Sequence, residues 1–133
     1  MTTYSSKVYH EQGGDRLVVQ NGGEIMHEGH AAVTQITSIA TGVTANALSG
    51  TITTVSQTIA AAAEADFVVT NSRVAATDTV VACIRSTASA GTFIVAVAEV
   101  AAGQFTLRLT NLHAANAGNN TILINFFVIK ARA

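Results

Sequence analysis

Apolar and polar residues alternate with period two through much of the chain, the periodicity of β-strands. In residues 104–110, Phe105, Leu107 and Leu109 fall on one side and Thr106, Arg108 and Thr110 on the other. That is a strand with one face on a core and one toward water. Residues 121–130 differ. Ile122, Ile124, Phe126 and Val128 share one face, and Leu123, Phe127 and Ile129 share the other, interrupted by Asn125. The stretch is too short and too β-branched for a helix. A strand apolar on both faces needs the chain's own core on one side and a second layer, a sheet or another copy, on the other. Residues 78–85 read the same way. Residues 92–100 set Phe93, Val95 and Val97 against Ile94, Ala96, Ala98 and Val100, and the small alanines suit close approach between sheets or subunits. Residues 51–59 are Thr-rich and β-prone, and residues 66–71 run as a strand into a turn. Residues 60–65 are helix-prone but too few for a helix, so they predict a connector with at most one turn. Residues 86–91 and 111–120 read as small-residue and Asn-rich loops, and 101–103 as a turn. Six strands so spaced predict an all-β body, a β-sandwich or jelly-roll-like fold.

The N-terminal third has a different texture. Residues 1–12 carry no core pattern and predict an extended arm in which Tyr4, Val8 and Tyr9 dock on a neighbour; a frayed terminus is the plainer alternative. Two Gly-Gly pairs follow, at Gly13-Gly14 and Gly22-Gly23, nine residues apart. Each precedes an acid and then apolar residues, Leu17 and Val19 in the first and Ile25 in the second. The pattern predicts turn, short strand, turn, short strand, and such strands bury no face alone. In residues 31–48, Val33, Ile36 and Ile39 would suit one helical turn. Thr34, Thr37, Ser38, Thr41 and Gly42 oppose it, which favours an extended linker. Ser49-Gly50 marks a boundary, dividing the chain into an arm with linker, 1–48, and a body, 49–133. Phe67-Val68-Val69-Thr70-Asn71 and Leu107-Arg108-Leu109-Thr110-Asn111, forty residues apart, read as equivalent strand ends, because Asn supports tight turns through its own side chain.

Composition narrows the function classes. Only 11% of the 133 residues are charged while 49% are apolar, so polarity must come from Thr, Ser, Asn and Gln, or surface must be hidden in an oligomer. The net charge of −1 and the absence of a basic patch argue against a nucleic-acid partner. No apolar run reaches membrane-span length and no signal-peptide pattern opens the chain, so the expectation is a soluble product of a cytoplasm. Cys83 has no intrachain partner, and its apolar setting, Val80-Val81-Ala82-Cys83-Ile84, predicts a small buried side chain.

Candidate chemistry is thin. His27-Glu28-Gly29-His30 lacks the one-turn helical spacing of a zinc motif, and in a strand its two histidines would point to opposite faces. Metal binding there would need copies brought together by symmetry, and solvated or stacked side chains are the simpler reading. His113 sits in a loop and is expected exposed. The carboxylates are scattered, with no pair placed to tune one acid against another. The Gly-Gly pairs lack the Lys-Ser/Thr and the helix of a phosphate loop. These features predict no enzyme, no catalytic or metal residues and no cofactor.

The N-terminal stretch SKVYHEQGGDRLVVQNGGEI (6–25), with SGTITT (49–54), DFVVTNSRV (66–74), GQFTLRLTN (103–111) and TILINFFVI (121–129), resembles small tailed-bacteriophage virion proteins of the capsid decoration, or cement, type. The match is compositional and positional, and residues 31–48 fit it least. The resemblance implies a β-rich and commonly threefold body on the capsid exterior, helped by an extended arm, with the major capsid protein and other copies of itself as partners and no catalytic residues. The expected capsid contacts are Tyr4, Val8, Tyr9, Leu17, Val19 and Ile25. The expected subunit interface is Val81, Cys83, Ile94, Ala96, Ala98, Leu123, Phe127 and Ile129. A head or tail fibre or receptor-binding module is the first rival, and a lectin-like or glycan-active β-fold the second.

Overall fold

The computed structural model describes residues 6–87 and 92–131. Among them there are twelve strands and no helix. In chain order these are β1 (Val8–His10), β2 (Leu17–Val19), β3 (Ala31–Thr34), β4 (Val43–Thr44), β5 (Ser49–Thr53), β6 (Gln57–Ile59), β7 (Glu64–Thr70), β8 (Thr79–Thr87), β9 (Phe93–Ala101), β10 (Gln104–Asn111), β11 (Gly118–Asn120) and β12 (Ile122–Ile129). The protein is all-β, as its hydrophobic periodicity predicts.

One long antiparallel ribbon organises the strands. The run β5-β6-β7 pairs with the run β12-β11-β10, partner by partner. The ribbon starts in one four-stranded sheet, β3-β5-β12-β8, and ends in another, β4-β7-β10-β9, with the short β6–β11 ladder between. β8 lies beside β12 and β9 beside β10, so the excursion from β8 to β9 carries the chain from one sheet to the other. At the opposite edges β3 adds in parallel to β5, and β4 in parallel to β7.

The inward faces of both sheets share one core. Phe67 and Val69 from β7, Phe105, Leu107 and Leu109 from β10, Ile52 from β5, and Ile122, Ile124, Phe126 and Val128 from β12 are all buried. Phe105 and Phe126 meet there with ring centroids 5.3 Å apart and planes tilted by 55°. Gly50 lies opposite Phe126 in the ladder, and its missing side chain leaves room for that ring.

Local expectations changed where tertiary pairing outweighed propensity. The alanine-rich connector makes no helical turn. Ala63 N–H bonds to Ala60 O in a tight turn with Ala62 at φ 54°, and Glu64 and Ala65 already pair with Thr110 and Leu109. The stretch 51–59 is two strands, divided beyond Thr54, whose buried hydroxyl accepts a bond from Ile122 N–H where the ribbon leaves its first sheet. Residues 31–48 are extended without helix, yet they are no free linker. They supply β3 and β4, and Ile39, Ala45 and Ala47 enter the buried set. In the Gly-Gly stretch only the first repeat forms a strand, β2, and its partner is β1, from the segment that carried no core pattern. The expected loop at 86–91 falls partly on residues 88–91, outside the described residues; Ser86 and Thr87 extend β8.

The echoed Thr-Asn ends match in structure. Asn71 follows β7 and Asn111 ends β10, antiparallel neighbours, so the two asparagines close opposite ends of one pair. Both are fully buried. Asn71 donates to Ala47 O at 2.7 Å and accepts from Arg73 N–H at 3.0 Å. Asn111 donates to Ile59 O, Ala60 O and Asn116 O and accepts from His113 N–H. An acceptor bond from the amide two residues on is the Asx-turn chemistry that makes Asn a strand terminator.

Candidate interaction surfaces

Three apolar surfaces are available for contact, and each follows from strand alternation. The first is the β1–β2 hairpin. Its turn is fixed by Gly13 at φ 71°, by Gly14 N–H bonding to Glu11 O at 3.0 Å, and by Arg16 gripping both Glu11 oxygens at 2.5 and 2.9 Å. The guanidinium holds the Glu11 carboxyl below its ordinary range. The register Val8↔Val19, Tyr9↔Val18, His10↔Leu17 puts Val8, Val19 and Leu17 on one face and Tyr9 and Val18 on the other. Val8 is half-buried, whereas Tyr9, Leu17 and Val19 are exposed. Ile25 and Met26 follow at 68% and 74% exposure. The ribbon therefore carries apolar side chains on both faces, with Leu17 and Val19 open on one and Tyr9 and Val18 more covered on the other. Tyr4 lies outside the described residues.

The second surface is the outer face of the β3-β5-β12-β8 sheet. Phe127 pairs with Val81 and with Ser49, and Asn125 with Cys83 and Thr51. Val81 and Ile129 are each 49% exposed, and Leu123 and Phe127 are half-buried. Cys83 is exposed, contrary to the buried thiol its apolar neighbours suggest. Alternation explains it: Val80, Ala82 and Ile84 turn inward, which turns Val81, Cys83 and Arg85 out. The segment leading into β3 crosses this face. His27 stacks on Phe127 at 4.3 Å between centroids, tilted 57°. The His30 ring nitrogens lie 3.3 Å from Ser49 Oγ and 3.0 Å from Thr51 Oγ1, and Thr51 donates onward to Asn125 Oδ1 at 2.8 Å. The two histidines thus rest on one face rather than pointing to opposite sides, because the segment carrying them is not a strand. Phe127 is already partly covered from within the chain.

The third surface is the outer face of the β4-β7-β10-β9 sheet, where Ile94 is 45% exposed and Ala96 and Ala98 are open. Ala96 pairs with Arg108, whose guanidinium bonds both Asp66 oxygens at 2.8 and 2.7 Å and lies 2.7 Å from Glu64 Oε2. Arg108 holds the Asp66 carboxyl below its usual range. The small-residue patch therefore borders an ionic cluster. The eight residues expected to form one subunit interface separate into two sets, Val81, Cys83, Leu123, Phe127 and Ile129 on one outer face and Ile94, Ala96 and Ala98 on the other. Period-two reading places residues on faces of their own strands but not strands in sheets.

Sequence reasoning missed a polar latch at the C-terminal end. Asp78, its side chain buried, accepts from Ala75 N–H at 2.8 Å, from Lys130 Nζ, and from Ala131 N–H at 3.0 Å. Those backbone and ammonium donors pull its carboxyl down to about 2. Lys130 also donates to Arg73 O at 2.7 Å. The acid that opens β8 and the lysine after β12 were visible in sequence only as strand-flanking charges. His113, expected exposed, is half-buried and caps its own loop, accepting from Ala115 and Asn116 N–H.

No group of three or more His, Cys, Asp or Glu side chains converges among the described residues. No helix among them is long and apolar enough to cross a membrane. No family model, curated protein or solved structure matches the chain.

Proposed function

We propose that this chain is a structural virion protein that binds the outer surface of a phage capsid as a trimeric decoration protein and stabilises the shell. In this reading the two four-stranded sheets are a jelly-roll-like β-sandwich body, and the N-terminal segment is an arm that clamps neighbouring shell subunits. The observation that carries it is the hairpin. A two-stranded ribbon is marginal alone in water, and one with Tyr9, Leu17 and Val19 exposed gains most when laid on another surface. Burying those side chains contributes roughly 25 cal/mol for each Å² of apolar area removed from water. A shell offers the same contact many times by symmetry, so modest affinity per copy suffices.

The division of the body's apolar residues into two sets supports a cyclic rather than a twofold assembly. A ring contact is heterologous, with each subunit offering two different surfaces. The β8–β12 face carries the larger apolar set, and the Ile94–Ala98 patch is its small-residue counterpart. The charged side chain on that face, Arg85, lies at the end of β8 beyond Cys83, at the rim of the apolar set rather than within it.

Truncation separates the two roles. Removing residues 1–23 keeps His27 and His30 on their sheet, so the body and its self-association are expected to remain while binding to purified capsids is lost. A truncated protein that binds capsids as well as the full chain would show that the arm plays no part.

A further inference from the structure

The arm joins the body through a stretch with almost no bonds of its own. The hairpin closes where Gly23 N–H bonds to Gln20 O at 2.7 Å, and β3 starts at Ala31. Between them, residues 24–30 make no backbone–backbone hydrogen bond among the described residues. The hydrogen bonds and the ion pair of residues 6–23 stay within that segment. Two imidazoles tie the stretch to the body. His27 stacks on Phe127, and His30 reaches Ser49 and Thr51. Their footing is firm, because Ser49 and Thr51 lie on β5 and Phe127 on β12, the two inner strands of their sheet.

Side-chain chemistry makes the His30 contact specific. Thr51 gives its hydroxyl proton to Asn125 Oδ1 at 2.8 Å. Toward His30 Nε2, 3.0 Å away, Thr51 can then only accept, so Nε2 carries a hydrogen. In the neutral ring Nδ1 is left as the acceptor for the Ser49 hydroxyl, 3.3 Å away. Backbone geometry lets both rings reach the sheet. Side chains three apart in a strand face opposite ways. Here Gly29 bends the chain at φ 77°, a left-handed conformation that side chains disfavour, and both rings come down on one face.

These contacts set the length of chain left free. With His27 seated, only residues 24–26 separate the hairpin from a fixed point, about 10 Å of extended chain. With both rings released, the tether is residues 24–30, about 25 Å. The effective concentration of a tethered module falls roughly as the −3/2 power of tether length, so release dilutes the hairpin about threefold to fourfold at the site it covers.

We propose that His27 and His30 are positioning residues, a clasp that fixes where the hairpin leaves the body and aims it at the surface it covers. The aiming rests on the shell reading; the clasp does not.

Backbone ¹⁵N relaxation of the labelled full chain tests the clasp. In the wild type the amides of residues 28–30 are expected to be as rigid as those of β5. The double variant His27→Ala/His30→Ala should make them as mobile as a free tail. So should Gly29→Val, which keeps both histidines but opposes the bend. His27→Phe/His30→Gln should restore rigidity, because Phe stacks on Phe127 and the Gln amide both donates and accepts. Unchanged shifts at Leu107 and Leu109, in the other sheet, show that each variant folds. Binding to purified capsids tests the aim: about threefold to fourfold weaker in the two loosened variants and near wild type in the restored one. Mobile amides in the wild type, or rigid ones in either loosened variant, overturn the clasp and leave the shell reading standing. Mobility gained with capsid affinity unchanged overturns the aiming alone. A wild type that binds no capsid contradicts the shell reading and the aiming falls with it, while the relaxation result still decides the clasp.

Discussion

At Gly50 a side chain would have nowhere to go. A Cβ there would stand 2.4 Å from Phe126 Cε1 and 2.9 Å from Ala31 O, and the second of these atoms is backbone. Gly50→Ala is therefore expected to destabilise the body by about 1–3 kcal/mol, the usual cost of overpacking, read as a lower urea midpoint. Asn111→Ala should cost a similar amount, roughly 1–3 kcal/mol for buried groups left without partners, because Ile59, Ala60 and Asn116 all lose a donor. A midpoint unchanged in either variant would contradict the packing described. The sequence pointed to Asn111 through its echo of Asn71, and the Asx chemistry is local enough to be read there. Gly50 looked like a boundary residue, and only the placement of Phe126 across the ladder shows why it is glycine.

Elements differ in how far they are tied down. β12 is held on both sides and buried on its core face, whereas the β1–β2 hairpin has two strands and an open face. Amides of β1 and β2 are expected to exchange with solvent orders of magnitude faster than those of Ile124 and Phe126; equal protection would mean the hairpin is part of the cooperative body. The Asp78 latch gives β8 and the end of β12 a pH dependence. Its folded pKa, about 2, lies below the ordinary value of 3.8. The unfolded chain therefore binds the proton more readily, so the latch contributes fully above the ordinary value and is lost as pH falls toward 2. Asp78→Asn should flatten stability across that window; an unaltered slope would show that the ionised carboxylate contributes nothing. The long strands were legible because period-two alternation reports local backbone and burial together. The alanine connector, the short β3 and β4, and the pairing of β2 with β1 were not, because distant partners decide them.

On the scale of the whole molecule, doubly apolar strands were legible from the period-two placement of Ile122 to Ile129, which led to the expectation of a covering layer. Which layer was not. His27 and His30 from the chain itself cover part of the β12 face, and the remaining expected interface residues lie on two sheets. If those sets join copies into a ring, Val81→Lys and Ile94→Lys should each convert a trimer to monomers in native mass spectrometry, with association weakened at least about a hundredfold, or about 2.8 kcal/mol at 1.4 kcal/mol for each factor of ten. Both side chains face out of the core, so the fold should survive. A wild-type chain that stays monomeric at tens of micromolar, a concentration at which ~10 µM contacts would already show, would remove the ring from the account.

The shell reading is tested most directly by quantitative mass spectrometry of purified particles, giving copies of this chain for each copy of the major shell protein. A decoration protein predicts a ratio of one, or a simple fraction of it, set by the symmetry of the shell. A handful of copies for each particle would instead assign the chain to a fibre or tail, and its absence from particles would contradict the virion account altogether.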